Sequence, residues 1–133
     1  MLPEKTREQF EKVVESQLAR IQAMKDQGDF VDYSKLDKII IGVCGGDGIG
    51  PMITSMAQHV LETLLADKVK AGKVEFRVID GLTIERRAEL GCAIPPDVME
   101  ELKACHVILK GPTTTPRKGD PWPNVESANV AMR

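Results

Sequence analysis

Lys110, Arg117, Lys118 and Arg133 lie within the twenty-four residues KGPTTTPRKGDPWPNVESANVAMR, together with Thr113, Thr114, Thr115, Ser127 and Asn129. Guanidinium and ammonium groups set among hydroxyls and an amide are donors suited to a small ligand that carries several carboxylates. Pro112, Pro116, Pro121 and Pro123 restrict the backbone between them, while Gly111 and Gly119 let it turn. The same composition also describes a solvated surface loop. What delivers the chain into the loop decides between the two.

A second stretch, Gly45 to Pro51 in GGDGIGP, crowds glycines into a strand-to-helix turn. Such turns hold phosphates when they read GxGxxG or end in GK[ST]. Here the spacing is Gly46-x-Gly48-x-Gly50, with Pro51 in place of a third glycine, so a tight turn is favoured over a phosphate cradle. Asp80, at the end of the next strand, stands where a dinucleotide-binding protein places its ribose acid, and that reading stays open as a minor alternative.

Three short strands are predicted to position both stretches. KIIIGVC, Lys38 to Cys44, is an apolar β-branched run suited to burial in a parallel sheet. After the glycine turn, a helix opening at Pro51 presents Ile53, Met56, Ala57, Val60, Leu61, Leu64 and Leu65 as its core face and ends at Gly72. KVEFRVI, with Val74, Phe76 and Val78 alternating with Glu75 and Arg77, is the second strand. Short helices follow over Thr83 to Leu90, stopped by Gly91, and from Pro95-Pro96 to about Cys105 with Val98 and Leu102 inward. HVILK, His106 to Lys110, is the third strand. In open α/β sheets ligands sit beyond the carboxyl ends of strands, so both stretches can share one rim. Ahead of this unit, Glu4 to Gln27 reads as a helix whose stripe, Phe10, Val13, Val14, Leu18, Ile21 and Met24, needs a packing partner. Gly28 stops it, and Asp29 to Asp37 is a polar connector. The expected fold is α/β: residues 1–37 form a helical extension, and residues 38–133 form a partly parallel sheet with flanking helices.

The composition narrows the function. The chain has 133 residues, 42% hydrophobic and 29% charged, as in globular proteins. A net charge of −2 offers no basic excess for nucleic acid. Cys44, Cys92 and Cys105 show no CxxC pairing, so neither a disulfide framework nor a zinc site follows, and a reducing cytoplasm fits. The charged start is unlike a secretory signal, and no apolar run reaches the ~20 residues of a membrane span. VESANVAMR reads as the opening of an amphipathic helix with no stop signal at Arg133, so a longer protein is expected.

GDGIGP at Gly46 to Pro51 and KGPTTTP at Lys110 to Pro116, followed by Ser127-x-Asn129-x-x-x-Arg133, resemble the isocitrate/isopropylmalate dehydrogenase family over about Lys38 to Arg133, the first third or so of such an enzyme. The second pattern is similar to the isocitrate branch. The resemblance implies NAD- or NADP-dependent oxidation of a 2-hydroxy acid followed by decarboxylation, with Mg²⁺ or Mn²⁺ polarising the substrate oxygens. It implies that Ser127 and Asn129 bind the distal carboxylate of isocitrate, that Arg133 clamps a carboxylate, and that Lys110 sits near the substrate or supports the loop. Thr114 and Thr115 would lie beside the nicotinamide ribose, with Ile49 touching the cofactor. Catalytic residues and metal ligands are expected outside residues 1–133, leaving this stretch alone inactive; Asp120 and Glu126 are scattered acids. A homodimer or higher oligomer is implied. Isopropylmalate, homoisocitrate or tartrate remain as sister substrates, and a non-catalytic ligand-binding or regulatory subunit as another class. Three features depart from the pattern: Met52 stands where an acidic residue is usual, about four extra residues lie between Pro116 and Ser127 with Trp122 between two prolines, and the family's metal ligands, catalytic residues and adenine-binding loop are expected beyond Arg133. Apart from the resemblance, helix capping also suits Ser127 and Asn129.

Overall fold

A computed structural model describes residues 3–27 and 31–133. It divides into two compact units, Met1–Lys35 and Leu36–Arg133. In the first, α1 spans Glu4–Gln27, the expected helix, and nothing described within that unit covers its apolar stripe. Gly28, Asp29 and Phe30 lie outside the described residues, and a single 3-10 turn, Tyr33–Lys35, ends the unit.

The second unit is the α/β fold read from the sequence. Its elements are β1 (Ile39–Cys44), α2 (Gly50–Leu64), α3 (Ala66–Lys70), β2 (Val74–Val78), α4 (Ile84–Leu90), α5 (Pro96–Lys103), β3 (Val107–Lys110) and α6 (Ala128–Ala131). The strands form one fully parallel sheet in the order β2-β1-β3. Ile39 pairs with Val74 on one side of β1, and Cys44 with Lys110 on the other. The chain leaves β1 for β2 and then crosses to the far side of β1 for β3. The strand order therefore reverses at the carboxyl ends of β1 and β3, where doubly wound sheets hold their ligands.

Local chemistry sets the helix ends. Thr83 caps α4 by accepting from the Arg86 amide, and Gly91, in the left-handed region at φ 61°, closes it. A proline opens α2 and another opens α5, where no amide partner is lost. The core gathers Cys44, Ile79, Leu82, Ile94, Val98, Leu102 and Ala128, with Ala93, Met99, Cys105 and Met132 against it. Ala128 and Met132, four apart, thus turn one side of the last helical turn inward.

Two expectations need correction. Ile53, Met56, Val60 and Leu64 are exposed, Leu64 at 75%, so they are not part of the core face of α2. Gly50 and Thr54 are buried instead, and Ala57, Leu61 and Leu65 are half-buried. Apolar residues span more than half the circumference of this helix, and only the side carrying Thr54 meets the sheet. The Thr54 hydroxyl donates to the Gly50 carbonyl, so its burial leaves no orphaned group. The helix also breaks at Leu65 and resumes as α3 before Gly72. Along β2, Val74 and Phe76 are half-buried, whereas Val78, last on the same face, is 60% exposed.

Candidate functional site

The two loops at the carboxyl ends of β1 and β3 interlock. The Gly111 amide donates to the Cys44 carbonyl at 2.8 Å, extending the ladder one step past the strands. The Asp47 amide donates to the Pro112 carbonyl, also at 2.8 Å. Gly46, at φ 73°, sits so close to that carbonyl that a Cβ would collide with the Pro112 oxygen. At this position the glycine serves the approach of one loop to the other, which is the tight-turn reading rather than the phosphate cradle.

Asp47 is the hinge-pin of the arrangement. One carboxylate oxygen accepts from the Ile84 amide, the first residue of α4, at 2.7 Å. The other accepts from the Thr114 amide at 2.6 Å. A carboxylate at a helix N-terminus is favoured by the exposed amides there, and bonds to a charged acceptor contribute roughly 1.5–3 kcal/mol each. One side chain therefore joins the glycine turn, α4 and the threonine-rich loop.

Arg87, on α4 three residues after Ile84, is completely buried. It donates to the carbonyls of Ala93, Thr114 and Glu126. Thr114 is consequently held at both its amide and its carbonyl. Neither Asp47 nor Arg87 was among the sequence candidates. The helical period carried a signal for Arg87, because positions 84 and 87 share a face of α4.

Lys110 turns onto its own loop, where Nζ donates to the Gly111 carbonyl at 2.8 Å and to Thr113 Oγ1 at 3.0 Å. Burial lowers its pKa below the ordinary lysine value. Arg87 adds to that shift, while Cys44 and Asp47 oppose it. Of the two roles considered for Lys110, the observed bonds are those of loop support. Thr114 is half-buried, and Thr115 and Ile49 are exposed near the strand ends.

Ser127 occupies the cap position of α6, yet its side chain makes no capping bond, so capping does not account for its hydroxyl. Ser127 is half-buried, whereas Asn129 and Arg133, one turn apart, are exposed. None of the three side chains forms a hydrogen bond or ion pair with a described residue. Their neighbours Ala128 and Met132 fix the turn to the core.

Between these anchors residues 117–121 are exposed. The Asp120 carboxylate there accepts from the Arg117 amide at 2.7 Å, which closes a local turn. A cleft of about 410 Å³ lies against Arg117, Lys118, Asp120, Trp122 and Asn124. Another, of about 330 Å³, lies between α2 and the end of β2, with Ser55, Gln58 and Asp80 on its walls. Among the described residues no group of three His, Cys, Asp or Glu side chains is arranged to hold a metal ion. None of the described helices is long and apolar enough to cross a membrane.

Residues 40–133 match the family model described as isocitrate/isopropylmalate dehydrogenase. The NADP isocitrate dehydrogenase of Caldococcus noboribetus is 36% identical over 100 residues, 73% of this chain and 22% of that protein. The 3-isopropylmalate dehydrogenase of Anaeromyxobacter dehalogenans is 33% identical over 81 residues, 61% of this chain and 22% of that protein. Regulatory subunit 1 of the mitochondrial NAD isocitrate dehydrogenase of Arabidopsis thaliana is 34% identical over 88 residues, 66% of this chain and 20% of that protein. The matched stretch thus spans about a fifth of these relatives, less than the third that the motifs suggested. No solved structure gives a significant match. With both motifs interlocked at the reversal point of a parallel sheet and the family model matched from residue 40 to the last residue, the chain belongs to the isocitrate/isopropylmalate dehydrogenase family.

Proposed function

We propose that the complete protein oxidises and decarboxylates isocitrate with NAD or NADP, and that this stretch supplies one wall of its substrate site. The observation that carries the reading is Ser127-x-Asn129-x-x-x-Arg133, whose polar side chains are unbonded while Ala128 and Met132 fix the same turn to the core. In this reading Ser127 and Asn129 bind the distal carboxylate, and Arg133 grips a second carboxylate through its fork of N–H donors. Lys110 holds the loop in shape. Thr114, Thr115 and Ile49, at the strand ends, border the nicotinamide, which accepts the hydride when bound. Placing and desolvating the carboxylates is this segment's share of catalysis, because a fixed substrate converts binding into orientation. The described residues do not make a Mg²⁺ or Mn²⁺ site by themselves.

Arg133→Ala in the complete protein tests the assignment. Loss of a desolvated charge pair lowers kcat/KM for isocitrate by about thirtyfold or more, corresponding to ~2 kcal/mol. An unchanged kcat/KM would remove Arg133 from the site. A panel of isocitrate, isopropylmalate, homoisocitrate and tartrate identifies the substrate. The likeness to a regulatory subunit supports a second reading, a non-catalytic ligand-binding chain. Isocitrate binding without turnover by the purified complete protein, with activity appearing on addition of a homologous subunit, would favour it.

A further inference from the structure

We propose that Arg87 is a positioning residue that fixes the spacing between the two ends of the loop joining β3 to α6. The exposed middle of that loop can then vary in length without moving the carboxylate-binding side chains. The proposal rests on the functional reading above. Arg87 has the largest fully buried side chain among the described residues. No described carboxylate pairs with it. Its Nε donates to the Ala93 carbonyl at 2.7 Å, and its two terminal nitrogens donate to those of Thr114 at 2.8 Å and Glu126 at 2.7 Å. Removing an ion from water costs several kcal/mol, and a fold tolerates this only where oriented dipoles replace the lost solvent. Here the dipoles come from three separate segments: the link between α4 and α5, the start of the loop, and the residue directly before Ser127.

A guanidinium is planar and rigid, so bonds along its edges set distances as well as charge. The Thr114 and Glu126 carbonyls are therefore held at a separation dictated by one side chain. Thr114 is pinned a second time by the carboxylate of Asp47. Between the clamped carbonyls, Pro116 and Val125 are buried, while residues 117–121 are exposed and bond mainly within their own turn. The extra residues lie between Pro116 and Ser127, the interval that holds this exposed turn and the half-buried Trp122. The clamp thus accounts for an insertion that leaves the spacing of Ser127, Asn129 and Arg133 intact. A buried cation that no described carboxylate pairs with also adds positive potential to a rim built for an anion, and Lys110 already feels it.

The test uses the complete protein as wild type, Arg87→Lys, Arg87→Met and a form lacking residues 118–121, singly and combined. The deletion alone should change the KM for isocitrate by less than about threefold. Each Arg87 variant should raise KM by about thirtyfold with a smaller change in kcat, because a lone ammonium or a thioether cannot span both carbonyls. In the Arg87 backgrounds the deletion should shift KM further, giving a double-mutant cycle that is not additive. Hydrogen exchange without substrate should quicken in residues 113–130 while β1 and β2 stay protected. An Arg87→Lys protein with unchanged KM and unchanged exchange in that segment overturns the proposal. So does exchange that quickens evenly through the sheet, the mark of general destabilisation. If the wild type does not oxidise isocitrate, the functional reading fails, and the exchange pattern alone decides whether the clamp exists.

Discussion

At the carboxyl end of the sheet, Gly46, Asp47, Gly111 and Thr114 are locked together by backbone approach and carboxylate bonds. Along the flanks, α2, β2 and β3 leave Met56, Val60, Leu64, Val78, Val107 and Ile108 exposed. The rim satisfies itself with groups lying within this stretch, and the flanks do not. Geometry at a site and completeness of the apolar core are thus separable properties. A ligand rim needs hydrogen bonds between nearby backbone segments, whereas an apolar flank needs neighbours of sufficient area.

The largest effect should come from matched substitutions in the glycine turn. Gly46→Ala drives a methyl group into the Pro112 carbonyl and strains a backbone at positive φ, so we expect a loss of several kcal/mol or failure to fold. Gly48→Ala keeps the strain at φ 60° but meets open space, and should cost about 1 kcal/mol. Urea unfolding of the two proteins measures the difference. Equal losses would mean that the loops do not lock in the way described.

An intermediate effect concerns Cys44, which closes the rim end of β1. Burial raises its thiol pKa from 9.0 to about 11. The folded state therefore favours the neutral thiol. That contribution is complete below pH 9, the unfolded value, and is lost as pH rises through 11. Its size is on the order of 2 kcal/mol. Thermal unfolding between pH 8 and 11 should show the decline, and Cys44→Ala should flatten it. A flat profile in the native protein would place Cys44 in contact with water and weaken the contrast between rim and flank.

The smallest effect belongs to the flank. Val60→Lys, at a position 57% exposed, should change stability by less than about 0.5 kcal/mol and should reduce self-association measured by sedimentation. A loss as large as that for Gly46→Ala would show that this face of α2 is covered in solution.

Much of the fold was legible because its signals are local. The bounds of α1 follow from apolar spacing, the start of α4 from Thr83 and its end from Gly91, and the inward side of α5 from Val98 and Leu102. The core face of α2 was misread because periodicity reports that a helix is apolar on a broad side, not which half of that side meets the sheet. Thr54, polar by type, holds the buried position. In β2 the alternation marks a face but not how far along the strand it is covered, and Val78 at its end is exposed while Val74 and Phe76 are half-buried. Within the candidate site, Ser127, Asn129 and Arg133 are named from the likeness of their motif to the isocitrate branch. Asp47 and Arg87 could not be assigned their roles, because their partners lie up to 67 and 39 positions away and only the folded chain brings them together.

The two bonds of Asp47 also impose an order of events during synthesis. Its partners are 37 and 67 residues further along the chain, so the aspartate is made well before either amide exists. At about 5–20 residues per second, the wait for Thr114 is roughly 3–13 s. Until then β1 has an unpaired side and the nascent rim is open. A chaperone that shields β-edges would have its main opportunity in that interval, and a synonymous codon change that slows translation between residues 47 and 114 would prolong it.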